Sequence, residues 1–224
     1  MSDESQTAVR LTGIRALVAR RMHESLSSTV QLSFTASYNA ERLIAASRQY
    51  SANNPDVSVQ DVMAYCYAQQ LVDDSAFNAV LIDGMLSTKQ TVDLGFALAL
   101  PTHLIVPVIR NASALTIDAI AAERRRLSEA AVAGTLSATA MQGASSTISN
   151  LGRGRVEGFT PILNAPQVAL LGVAAIQQRP WIGDDGALGI APIGTLSLTV
   201  DHRAIDGAPA NAFLSALCAR LEHL

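Results

Sequence analysis

Lysine is almost missing from this chain of 224 residues: Lys89 is the only one, and arginine carries the positive charge. The net charge is a mild -3. That balance excludes a nucleic-acid partner, which needs clustered Lys and Arg. Aromatic residues make up only 4%, so the core must be built from Ala, Val, Leu and Ile. Only two cysteines occur, Cys66 and Cys218, far apart in helical patterns. They predict reduced core thiols rather than a disulfide, and no Cys/His cluster has metal-ligand spacing. No apolar run is long enough to span a bilayer, because charges, prolines and glycines interrupt each one. The opening M-S-D-E-S-Q-T has neither a basic nor an apolar signal region, so a cytoplasmic location is expected.

What is present is an alternation of helical and strand patterns. Residues 1–10 are polar and read as a flexible N-terminus; residues 11–224 read as one catalytic-size domain. After Thr12, the residues Ile14, Leu17, Val18, Met22 and Leu26 fall at helical spacing. Residues 30–38 alternate like a strand, and Asn39 can cap the next helix, which ends at the Asn-Asn-Pro turn. Ser58 followed by Asp61 predicts a capping box for a largely buried helix to about Val72. A hairpin is expected around Asp83-Gly84. Residues 92–100 and 104–109 read as two adjoining apolar strands. Thr116 caps a long helix that Gly134 ends. Short strands follow at 145–149 and 167–176, with a glycine-rich loop at 150–160 between them. A last strand at 193–200 leads into a closing helix. The fold class expected is α/β, a mixed sheet covered by helices, either buried on both faces or used in assembly.

The last strand delivers D-H-R-A-I-D-G, residues 201–207. A histidine at a strand mouth, with a carboxylate four residues on and a glycine for the bend, suits a general base with its support. This heptapeptide resembles the signature of chloramphenicol-acetyltransferase-like enzymes. Its D-H-R-x-x-D-G form resembles the acyltransferase core of 2-oxo acid dehydrogenase complexes. Three further stretches agree in the family's order: R-L-T-G-I-R-A-L-V-A-R-R-M, V-D-L-G-F-A-L-A-L-P-T-H-L-I-V-P-V-I-R-N-A, and T-I-S-N-L-G with F-T-P-I-L-N-A-P-Q-V-A-L-L-G-V.

The resemblance implies a chloramphenicol-acetyltransferase-like two-layer sandwich. It also implies acyl transfer, most simply acetyl, between a dihydrolipoyl thiol and coenzyme A. A thiol pKa of about 8.5 calls for a nearby base, and His202 is the candidate. An oxyanion donor contributes about 3–4 kcal/mol. The resemblance assigns that role to Ser149, which by itself reads as the polar end of a strand. Asp206 completes the candidate catalytic set as support for His202, orienting the loop and pairing with Arg15, Arg20 or Arg21. Asn150 and Gly152 are expected to shape the oxyanion loop and, with Arg15, to meet coenzyme A. His23 and His103 are read as incidental.

No metal is expected. The family's partners would be a homotrimer with sites between neighbouring subunits, in some members built into cubic or icosahedral cores. No lipoyl or subunit-binding domain is recognisable, and Lys89 in L-S-T-K-Q does not resemble a lipoylated hairpin tip. The lipoyl group is therefore expected in trans, from another protein or a dehydrogenase complex subunit. Pro101-Thr102-His103 departs from the family's turn and leaves the acceptor open. Two alternatives stay open: a coenzyme A-dependent acyltransferase with a non-lipoyl acceptor, and a non-catalytic assembly core.

Overall fold

A computed structural model describes residues 9–101, 103–183 and 186–224. Thr102 and most of the expected flexible N-terminus lie outside the described residues. The helices are α1 (Gly13–Ser28), α2 (Glu41–Asn53), α3 (Val59–Asp73), α4 (Ile117–Val132) and α5 (Gly207–Glu222). The strands are β1 (Gln31–Asn39), β2 (Ala79–Ile82), β3 (Met85–Thr88), β4 (Leu94–Phe96), β5 (Leu98–Ala99) and β6 (Leu104–Ile105). They continue with β7 (Val108–Ile109), β8 (Ser146–Asn150), β9 (Ala169–Val173), β10 (Gln177–Ile182) and β11 (Leu188–Asp201).

The main sheet runs β1-β11-β9-β8-β4-β7, with β10 paired to the first half of β11. It is mixed: β4, β8 and β9 are parallel, and the other pairs are antiparallel. Alternation decides its two faces. Leu196, Leu198 and Val200 of β11, with Leu171 and Ile148, point to the helices and are fully or nearly fully buried. There they meet Tyr67 and Leu71 of α3 and Phe213 and Leu217 of α5. Phe213 stacks on Phe77 at 4.2 Å between ring centres and meets Tyr67 edge-on. The Tyr67 hydroxyl shares a hydrogen bond with Ser146 Oγ at 2.6 Å, so its polar end is satisfied in the core.

The opposite face is small and hydroxylic. Ser33 and Thr199 bond across the β1/β11 pair at 2.7 Å, and Thr147 bonds Gln167 at 2.7 Å. Thr35 and Ser37 on that face are exposed. The expectation of helices over the sheet therefore holds for one face.

Local signals behave as their chemistry requires. The Asp61 carboxylate accepts from the Ser58 backbone N–H and hydroxyl at the start of α3. It is fully buried and is gripped by Arg124 of α4 through Nε at 2.5 Å and Nη2 at 3.1 Å. One carboxylate thus caps α3 and ties it to α4. The Asp83-Gly84 turn closes the β2–β3 hairpin with both residues at positive φ. Thr116 caps α4, and Asn39 accepts from the Glu41 N–H although the helix cap itself is Ala40.

Two expectations need correction, and one helix face is left open. The run 92–100 is two strands, β4 and β5, and 104–109 is β6 and β7. Proline has no N–H to give a ladder, and Pro107 interrupts the second run. The Phe96 N–H reaches the Pro107 carbonyl, while the next N–H, of Ala97, turns to the Ile148 carbonyl. The last strand is also longer than expected. β11 begins at Leu188 and forms a hairpin arm with β10. Pro180, Gly189 and Pro192 masked that arm, since both residue types weaken a strand reading. Finally, the apolar stripe of α1 is not covered by its own chain. Ile14, Leu17 and Leu26 are exposed, and the helix is pinned through Ser25, whose hydroxyl donates to the Leu163 carbonyl at 2.6 Å.

Candidate active site

β11 carries His202 just past its end. The last strand residue, Asp201, is buried and organises the turn. Its carboxylate accepts from the Val30 N–H at 3.2 Å, from the Arg203 N–H at 3.1 Å, and from the Arg203 guanidinium at 2.6 Å. Burial pushes the Asp201 pKa up, but the Arg203 guanidinium and the two backbone N–H groups outweigh it and hold the group below the usual carboxylate range. The His202 N–H donates to the Val30 carbonyl at 2.7 Å. The backbone of His202 is therefore fixed from both sides while its ring stays 42% exposed. A base held this way is positioned yet reachable.

Asp206 stands at the N-cap of α5, with its Oδ1 3.5 Å from His202 Nδ1. That is long for a hydrogen bond. Its side chain is 83% exposed. Among the described residues of one chain, Asp206 pairs with no arginine of α1: the ion pair of Arg20 is with Glu24, and the buried carboxylate of this turn is Asp201. Sequence reasoning quoted Asp201 and Arg203 inside the motif but gave them no role. Their adjacency around the histidine was the available signal.

Ser149 lies on β8, half-buried, on the face opposite the helices. Its hydroxyl has no hydrogen-bond partner among the described residues. Beside it in the register is Gly172 of β9. A Cβ on Gly172 would come within 3.0 Å of the Phe159 ring and 3.2 Å of Pro161, so glycine lets that loop close over the strand next to Ser149. Asn150 follows, and its side-chain oxygen accepts from the Gly152 N–H at 2.7 Å. A Cβ on Gly152 would approach that same oxygen at 2.9 Å, so the tight turn needs glycine. This pair closes the turn that follows β8. Arg15 is exposed on α1.

The register keeps His202 and Ser149 apart within one chain. Ser149 pairs with Gly172, and Gly172 pairs with Ser197. His202 lies five residues beyond Ser197, about 16 Å along the strand at ~3.3 Å per residue, and Ser149 is two strands across, about 10 Å. No side chain spans that gap.

Residues 3–224 match the family of 2-oxoacid dehydrogenases acyltransferase (catalytic domain). The chain belongs to this family. A relative of Bacillus subtilis (strain 168), the dihydrolipoyllysine-residue acetyltransferase component of the acetoin cleaving system, is 33% identical over 228 residues. The match takes in 99% of this chain and 57% of that protein. The chain spans about half the length of the curated relatives it matches. The dihydrolipoamide acetyltransferase of Azotobacter vinelandii superposes with a TM-score of 0.93 at 33% identity, over 100% of this chain and 96% of that one. A serine, a histidine and an asparagine four residues after the histidine were investigated there for their role in the catalytic mechanism. The cubic core of the pyruvate dehydrogenase multienzyme complex superposes with a TM-score of 0.91 at 32% identity, over 100% and 96%. Chloramphenicol acetyltransferase, at 16% identity, covers 91% of this chain and 92% of its own with a TM-score of 0.56, and shares the fold.

Proposed function

We propose that the chain transfers an acetyl group between a dihydrolipoyl thiol and coenzyme A, at a site completed between two copies in a homotrimer. The observation that carries this is the strand register, which leaves His202 and Ser149 at opposite ends of the sheet, each presented and neither supplied with the other. A second copy brings Ser149 of the partner subunit to His202. Exposed apolar side chains outside the core give that copy surfaces to bury: Ile14 and Leu17 on α1, and Ile182, Leu188 and Ile190 on the hairpin arm.

The chemistry follows from the groups. His202 takes the proton from the attacking thiol, and the thiolate sulfur bonds to the thioester carbonyl carbon. The carbonyl oxygen becomes an oxyanion, and the Ser149 hydroxyl donates to it. The intermediate collapses, the original C–S bond breaks, and the leaving thiolate takes the proton back from His202. Nothing is oxidised, and the same groups serve both directions. Asp206 biases the His202 ring rather than relaying a proton, because it is exposed and 3.5 Å away. Asn150 and Gly152 hold the loop beside the oxyanion, and Arg15 meets the coenzyme A phosphates. The lipoyl group comes in trans from a protein of a dehydrogenase complex, and the trimers join a larger cubic or icosahedral core. No helix among the described residues is long and apolar enough to cross a membrane.

The test is acetyl transfer from acetyl-CoA to free dihydrolipoamide, followed as coenzyme A release. Turnover that falls about a thousandfold in His202→Ala, with the trimer intact, is expected. No turnover from a folded wild-type trimer sinks the lipoyl assignment; coenzyme A binding then separates another acceptor from a scaffold.

A further inference from the structure

On the helix face of the sheet, away from the Ser149 hydroxyl, a cavity of about 310 Å³ opens between the first turn of α3 and the ends of β8 and β9. Its size is at the small end of ligand cavities. Tyr38 of β1 forms part of its wall. Tyr38 pairs with Gly194 of β11, and its ring crosses that glycine: a Cβ there would lie 2.6 Å from the ring and hydroxyl. The glycine lets the ring reach over β11 toward β9 and the cavity. The side chain is fully buried, and the hydroxyl has no hydrogen-bond partner among the described residues. Burial pushes its pKa up, so it is a hydroxyl donor at neutral pH. A buried hydroxyl without a partner is costly, and an acceptor that reached it from the cavity would relieve that cost.

Besides Ser58, whose hydroxyl donates to Asp61, and the Gln60 amide, the polar groups around the cavity are donors. Asn150 lines it, and its oxygen is taken by Gly152, which leaves its NH2 group unpartnered among the described residues. Arg153 lines it and has no carboxylate partner among the described residues. The N–H groups of Val59 and Gln60 open α3 there, at the positive end of a 15-residue helix. Among the described residues, no acidic one lines the cavity. The Asp61 carboxylate, which accepts from Ser58 of the cavity wall, is neutralised by Arg124. The remaining walls are apolar, chiefly Met63, Val173 and Ile176.

We propose that this cavity is a binding site for a small carboxylate with an apolar tail. Arg153 and the α3 N-terminus take the carboxylate, the Tyr38 hydroxyl donates to it, and the tail lies against Met63, Val173 and Ile176. The cavity shares Asn150 and Gly152 with the loop beside Ser149, but the Ser149 hydroxyl itself is on the other face of the sheet.

The test is calorimetric titration of the purified full chain with hexanoate, then with hexanamide and inorganic phosphate. Hexanoate is expected to bind with a Kd below about 1 mM, and the two counter-probes at least about tenfold more weakly. Arg153→Gln weakens hexanoate about tenfold or more, and Tyr38→Phe about fivefold. Without ligand, Tyr38→Phe melts about 2–4 °C higher than wild type, because the unpartnered hydroxyl is gone. Absence of hexanoate binding to the wild type overturns the proposal. So does binding that both substitutions leave unchanged, or phosphate binding as tightly as hexanoate.

Discussion

The two ends of the central strands are built differently. At the His202 end the buried Asp201, paired with the partly exposed Arg203, and two contacts to Val30 fix the backbone, and a half-exposed ring projects from it. At the Ser149 end the hydroxyl sits within regular ladder, and the precision lies in the neighbours: Gly172, which admits Phe159, and the Asn150–Gly152 turn. One end holds a base by electrostatics; the other holds a donor by close backbone approach. The difference teaches that each half of the site is organised before the halves meet, so a second copy needs only to dock.

The substitutions that break this contrast rank by expected effect. His202→Ala removes the base, and transfer should fall about a thousandfold or more with the melting temperature unchanged. Ser149→Ala removes one oxyanion donor, and kcat should fall about a hundredfold with KM little changed. Loss in KM alone would place Ser149 in substrate binding instead. Asp201→Asn leaves Arg203 without its charge partner and loosens the turn. We expect about 2 kcal/mol of destabilisation in a denaturant melt and about a tenfold loss of transfer. Acid probes the same group. Its pKa is depressed in the folded protein, so its stabilisation is present above the unfolded value of about 4 and is lost as pH falls through the lower folded value. A wild-type melting temperature that drops on acidification below about pH 4, with a smaller drop in Asp201→Asn, is the expected pattern. Asp206→Asn is expected to cost less than about fivefold in transfer, because the exposed carboxylate is too distant to hold the ring firmly. A loss as large as that of Ser149→Ala would make Asp206 a partner in proton transfer.

Much of this was legible in the residues. The Ser58–Asp61 capping box, the Asp83-Gly84 turn and the Thr116 cap are local chemistry, and local chemistry reads directly from sequence. The D-H-R-A-I-D-G motif placed the histidine at a strand mouth correctly. What stayed hidden depends on tertiary register. The break of 92–100 and 104–109 depends on which carbonyls Phe96 and Ala97 find. The β10–β11 arm is paired despite Pro180 and Pro192, because an edge ladder tolerates missing donors. Among the described residues of one chain no α1 arginine meets Asp206, because proximity in sequence to His202 says nothing of where those arginines lie. The distance between Ser149 and His202 was invisible for the same reason: motif spacing does not encode strand order. The Tyr38 cavity exists only because Gly194 falls opposite Tyr38 across two strands more than 150 residues apart in sequence.

The central claim is that each site takes His202 from one copy and Ser149 from another, and mixed trimers test it most directly. His202→Ala and Ser149→Ala chains, each nearly inactive alone, are co-expressed in equal amounts and assayed for acetyl transfer from acetyl-CoA to dihydrolipoamide. In random trimers about a quarter of the shared sites pair an intact His202 with an intact Ser149 of the partner subunit, so activity near a quarter of wild type is predicted. Activity no higher than that of the two variants apart, from trimers shown to be mixed, would contradict the shared site.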